Sequence, residues 1–139
     1  MESPLRRCGQ ELDARFMRVD LFLPVTSTEE ALRFYVDELA LFELRLDYGM
    51  DTYLIAYKRN PSLCLNLHAG ELHKPNSPLF ALEVENCIAE FQRMREVAFT
   101  KGGFVNTDRA SQRVFEYPLG KSFLMHDPFG NRFLIIEGY

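Results

Sequence analysis

The sequence predicts an α+β fold: two βαβββ modules forming an open eight-stranded half-barrel with a concave ligand cup. Three observations predict it. The hydrophobic period runs strand, helix, three strands, and then does so again. Sliding one half over the other places Val25 on Val84, Leu32 on Phe91 and Tyr35 on Met94, each 59 residues apart, as an internal duplication would. Eight strands set against two helices leave one sheet face without a helix to cover it, so that face is free to hold something. The 139 residues suit one domain of ordinary size.

The elements follow in order. Residues 1–15 (MESPLRRCGQELDAR) are polar and form an N-terminal extension. The first module occupies 16–70. In its opening strand Met17, Val19, Leu21, Leu23 and Val25 share one face, and Arg18, Asp20 and Phe22 share the other. The first face is uniformly apolar and suits helix packing, which assigns Arg18, Asp20 and Phe22 to the cup. Ser27 followed three residues later by Glu30 is a capping box, and Ala31, Tyr35 and Leu39 continue at helical spacing. FELRLDYG, TYLIAYKRN and SLCLNLHAG, separated by turn residues, make three strands. Residues 71–78, with two prolines, link this module to the second at 79–139. There SPLFALEVEN is a strand with Phe80, Leu82 and Val84 on one face. Asn86 caps a helix carrying Ile88, Phe91, Met94 and Val97, which Gly102-Gly103 terminates. Three further strands follow: FVNTDRASQRVFEYPLG, KSFLMHD and NRFLIIEGY. Asp127-Pro128-Phe129-Gly130-Asn131 turns between the last two.

Composition narrows the functional classes. With 47% apolar residues, 12 Phe and 6 Tyr, the chain is neither disordered nor of low complexity. Sixteen Lys and Arg against twenty Asp and Glu give a net charge of −4 with no basic block, which argues against nucleic acid as a partner. No run of about 18 apolar residues exists to cross a membrane. The start of the chain lacks the apolar stretch of a secretory signal. Cys8, Cys64 and Cys87 are odd in number and lack a C-x-x-C spacing, which fits three reduced thiols in a cytoplasmic protein.

Several side chains carry chemistry. A carboxylate at Asp20 on an apolar concave surface would act as a general base or hold a ligand cation; alternatively it pairs with Arg18 or another arginine. Phe22, Leu79, Leu134 and Ile136 suit a small apolar or planar ligand held by stacking, or else a dimer interface. His126 precedes the Asp-Pro turn, where it is a hydrogen-bonded strand-end residue or faces a pocket, and His73 in the linker belongs to the surface.

VDLFLPVTSTEEALRFYVDEL, with its Phe34-Tyr35 pair, and the closing DPFGNRFLIIE resemble the vicinal oxygen chelate superfamily of glyoxalases, bleomycin-resistance proteins and extradiol dioxygenases. The resemblance covers residues 16–139. It implies a divalent metal held by one side chain from the first strand and one from the last strand of each module. Carried onto this chain, those positions are Asp20, Asn66, Leu79 and Leu134. Two aliphatic side chains have no lone pair to donate, so no metal and no other cofactor is expected. A divalent metal fits only a shifted site built on Asp20 and His68; Glu137 falls on the strand face opposite Leu134.

Three functions compete. The first is a metal-free binder of a small apolar or aromatic molecule, lined by Arg18, Asp20, Phe22, Asn66, His68, Leu79, Leu134 and Ile136. The second is a glyoxalase-type lyase, isomerase or dioxygenase, with Asp20 or His68 catalytic, through a shifted metal or metal-free acid/base chemistry. The third is an interaction module whose cup a partner chain fills. The free edges of an open sheet, and the resemblance, imply a homodimer.

Overall fold

The computed structural model describes residues 17–72, 77–97, 99, 103–105, 115–117 and 120–138. The N-terminal extension, Cys8 and His73 lie outside the described residues, as do residues 106–114 of the expected sixth strand. Strand β1 (Val19–Val25) leads into helix α1 (Thr28–Leu32), which continues as a π-helical turn over Arg33–Glu38. Strands β2 (Phe42–Gly49), β3 (Thr52–Tyr57) and β4 (Asn60–Ala69) complete a sheet in the order β1-β4-β3-β2, with β1 parallel to β4. After β5 (Ala81–Glu83) and α2 (Cys87–Glu96) come β6 (Phe104–Val105), β7 (Phe115–Tyr117), β8 (Gly120–His126) and β9 (Arg132–Gly138). These strands form a second sheet in the order β5-β9-β8-β6, with β5 parallel to β9. β6 pairs with Met125 and His126 of β8, and β7 with the opposite end of β8 at Gly120–Ser122. The two short strands therefore lie along one edge where a single strand was expected.

Both helices are capped as their sequences dictate. Ser27 Oγ accepts from Glu30 N at 3.2 Å and Asn86 Oδ1 from Ala89 N at 3.0 Å, so the caps also stand 59 residues apart. The helix bodies depart from simple periodicity. Leu39 N reaches back five residues to Phe34 O, and the widened turn brings the consecutive Phe34 and Tyr35 both into the core. α2 stops at Glu96, before the expected glycines, because Val97 is extended (φ −74°, ψ 132°) and the chain turns to pack Phe99 on Phe34. Its buried side is Cys87, Phe91 and Met94; Ile88, expected on that side, is exposed.

One hydrophobic core joins the two halves. Leu23, Val25, Leu65 and Leu67 of the first sheet and Leu82, Phe123, Phe133 and Ile135 of the second belong to the same buried cluster, with Phe34 and Tyr35 among them. Each sheet thus turns one face inward, and its other face lies on the far side from the core. Among the described residues no strand of one sheet pairs with a strand of the other, and no barrel closes. Along the apolar stripe of β1, Met17 and Val19 are exposed, Leu21 is partly buried, and only Leu23 and Val25 are fully buried.

Polar contacts also tie the halves. Tyr35 Oη donates to Asp127 Oδ2 at 2.8 Å, and that carboxylate further accepts Phe129 N, Asn131 N and Asn131 Nδ2 at 2.8, 2.9 and 2.8 Å. Arg93 Nη2 of α2 donates to Leu39 O at the end of the π-helical turn. Burial pushes the Asp127 carboxyl up, against the hydrogen bonds that favour its ionised form. Burial, with the charge of Asp127 behind it, pushes the Tyr35 hydroxyl well up, so it stays a donor. Cys64 and Cys87 are free and buried; Glu137 Oε1 accepts from Cys87 N at 2.9 Å, and burial pushes the Cys87 thiol up to about 11.

Two variants test this core. Gly103 runs so close to Phe34 that an added Cβ would stand 2.2 Å from its ring, so Gly103→Ala should destabilise by about 1–3 kcal/mol in urea unfolding. Asp127, raised in the folded state, contributes stability that is full below the ordinary carboxylate range and is lost as pH rises through the raised value. Removing a donor to the ionised form makes that loss larger. Tyr35→Phe should therefore cost about 1–3 kcal/mol at pH 7 and visibly less near pH 3, in parallel unfolding curves; equal costs at both would count against the coupling.

Candidate functional site

Strand alternation sorts the expected site residues by face. In the parallel pairing of β1 with β4, Asp20 lies beside Cys64, Phe22 beside Asn66 and Pro24 beside His68. On the other side of β4, Leu54 of β3 lies beside Asn66 and Ala56 beside Cys64. Arg18, Asp20, Phe22, Asn66 and His68 therefore share the outer face of the first sheet. Its floor is a small buried cluster of Leu54, Ala56 and Cys64, which the sequence did not single out. In the second sheet Ala81 pairs with Leu134, and Ile136 with Glu83 and Ser122, so Leu79, Leu134 and Ile136 share its outer face. The structure brings together the members of each set, and among the described residues no strand pairing joins one set to the other.

On the first outer face Phe22 is 63% exposed, an unusual state for a phenylalanine in the middle of a strand. His68 packs edge-on against it, with ring centroids 6.2 Å apart. Asn66 below them is only 9% exposed. Asp20 is held by its neighbour two residues back: Arg18 Nη2 donates to Oδ2 at 3.0 Å, and Nε sits 2.8 Å from Oδ1 at an angle too poor for a hydrogen bond. Of the alternatives for Asp20, the internal pair with Arg18 is the one formed, which takes it out of the role of free general base. The partnership in turn pushes the Arg18 guanidinium pKa up, so that it remains charged.

The fit to a metal is poor on chemical grounds. Leu79 and Leu134 carry no donor atom, Asp20 is engaged by a guanidinium, and Glu137 is spent on the first turn of α2. Among the described residues no three His, Cys, Asp or Glu side chains gather closely enough to share one ion. His126, the last residue of β8, pairs with Arg132 across the hairpin.

A separate cleft of about 650 Å³ opens where the sheets meet, between Tyr57, Arg59 and Leu63 on one side and Glu83, Glu85 and Glu137 on the other. Tyr57 Oη donates to Glu83 O, and Arg59 pairs with Glu85 across it. None of the expected site residues lines this cleft. Its walls come from turns and strand ends far apart in sequence, and no local spacing announced them.

No protein-family model matches the sequence, and no curated protein matches it. Solved structures do match. An antibiotic-binding protein, TnmS3 from Streptomyces sp. CB03234, superposes with a TM-score of 0.67 at 23% identity, over 91% of this chain and 99% of its own. The bleomycin-binding protein of bleomycin-producing Streptomyces verticillus, complexed with copper(II)-bleomycin, gives 0.64 at 23% identity, over 91% and 100%. A glyoxalase/bleomycin resistance protein/dioxygenase superfamily member from Sphaerobacter thermophilus DSM 20745 gives 0.65 at 22% identity, over 86% and 95%. The chain has the fold of that superfamily, the vicinal oxygen chelate fold.

The half-exposed Arg18–Asp20 pair is worth little in water. Asp20→Asn should change stability by about 1 kcal/mol or less, and the change should shrink in molar salt. A loss of several kcal/mol in a thermal melt would mean that the pair is buried by something further.

Proposed function

We propose that the protein is a metal-free binder of a small apolar or aromatic molecule, working as a cytoplasmic homodimer. The observation that carries this reading is the first outer face: a broadly exposed Phe22 beside a nearly buried Asn66, the latter at a position where the resemblance would place a metal ligand. An open aromatic ring beside one desolvated polar group suits a planar ligand better than a cation. The names of the structural neighbours support the class, since one is an antibiotic-binding protein and another was solved with copper(II)-bleomycin.

The homodimer encloses the site. If the first outer face of one copy stands opposite the second outer face of another, Phe22 and Asn66 come to oppose Leu79, Leu134 and Ile136. That arrangement is the open half-barrel cup, formed between copies. Exposed apolar side chains along and beyond these faces, among them Leu46, Tyr48 and Leu79, and Met50 at 94% exposure on the β2–β3 turn, favour such burial.

Light scattering is expected to give twice the chain mass at micromolar concentration. A thermal-shift screen of fused-ring aromatic compounds is expected to find ligands that raise the melting temperature equally with and without EDTA, because a ligand that binds only the folded state stabilises it. One transition-metal ion bound per chain, with a melting temperature that falls on chelation, would overturn the metal-free reading.

A further inference from the structure

Asn66 occupies β4, a central strand of the first sheet, between Phe22 on β1 and Leu54 on β3. Its carboxamide has an N–H donor and a C=O acceptor side by side. At 9% exposure the residue has given up most of its water, and among the described residues its carboxamide makes no hydrogen bond while its amide atoms keep a small contact with solvent. An amide so placed is open to a partner from outside the chain. The neighbours on this face do not provide a partner. Phe22 and Leu54 have no polar atoms to offer, Cys64 Sγ is directed to Pro61 O at 3.5 Å, and Asp20 is bound to Arg18.

We propose that Asn66 reads a planar lactam edge, an adjacent N–H and C=O, on a fused-ring ligand packed against Phe22. The proposal rests on the binding function above and names the ligand class for that site. A carboxamide pairs with such an edge through two parallel hydrogen bonds, as asparagine does with the donor–acceptor edge of adenine. Along β1 the charges of Arg18 and Asp20 cancel each other. A site that hydrogen-bonds its ligand also rejects an isostere lacking the donor, since the buried amide is then left unpaired.

The probes are isoquinolin-1(2H)-one, a two-ring lactam, and its N-methyl derivative, which keeps the rings and the carbonyl but lacks the N–H. By titration calorimetry on the full chain, the lactam should bind at least about tenfold more tightly than the N-methyl compound. Asn66→Leu should abolish that preference while leaving the unliganded melting temperature unchanged or higher, because no protein contact is lost. Asn66→Asp, which when ionised accepts but cannot donate, should weaken binding of both compounds through the lost donor to their carbonyl while still favouring the one that carries the N–H. Binding of both compounds with equal affinity to the unaltered protein would overturn the lactam assignment and leave the aromatic-binding reading standing. Failure of either compound, and of the fused-ring screen, to bind would overturn both. If Asn66→Leu lowered the melting temperature and dissociated the dimer, the amide would belong to the subunit contact, and the lactam assignment would fall. The comparison between probes needs only the unaltered protein, so it stands even if a variant does not fold.

Discussion

Four hydrogen-bond donors converge on the Asp127 carboxylate, and one of them, the Tyr35 hydroxyl, comes from 92 residues earlier in the chain. The other three fold the Asp-Pro-Phe-Gly-Asn segment around the same two oxygens. A carboxylate this deeply buried is tolerable only because every donor is in place, so the turn and the helix must be built together. Tyr35 reaches it because the π-helical widening brings two consecutive aromatics into the core. Phe34 takes the other direction, against Phe99 and the bare backbone of Gly103. The joining of the two halves depends on this small polar knot and the aromatic cluster around it.

That joining decides where chemistry can occur. With both inner faces committed to one core, the polar and aromatic groups of the alternate strand positions are turned outward, half on each sheet. The Arg18–Asp20 pair, the unpartnered Asn66 and the exposed Phe22 are then surface features of a single chain. They become an enclosed pocket only when something else covers them. A ligand alone would lie on an open sheet, whereas a ligand together with a second copy would be surrounded.

Much of this was legible in the sequence because it is local. Ser27 and Asn86 act as caps through a hydrogen bond three residues long, and the Asp127 turn closes on itself. Period-two alternation put Asp20 with Phe22 and Asn66 with His68, and the parallel pairing of β1 with β4 joins the two pairs on one face. What was not legible depends on distant partners. Nothing near Phe34 announces a π-helical turn; it follows from what Phe34 and Tyr35 each meet in the second half. α2 ends at Val97 rather than at its glycines because Phe99 is drawn to Phe34, and Ile88 keeps helical spacing without a neighbour to cover it. Counting strands against helices showed that a face stays bare, but not that the strands divide into two sheets with no pairing between them.

The strand order also sets a timetable for synthesis. β4 is complete by residue 69, so the first sheet has all its backbone partners before any strand of the second has been made. The second sheet is different: β9 lies between β5 and β8, so that sheet waits for residues 132–138. Until residue 127 has been made, Tyr35 has no carboxylate to meet. Between residue 69 and residue 138 a nascent chain therefore carries a first sheet whose greasy side lacks its full cover, which is when a chaperone would find most to hold.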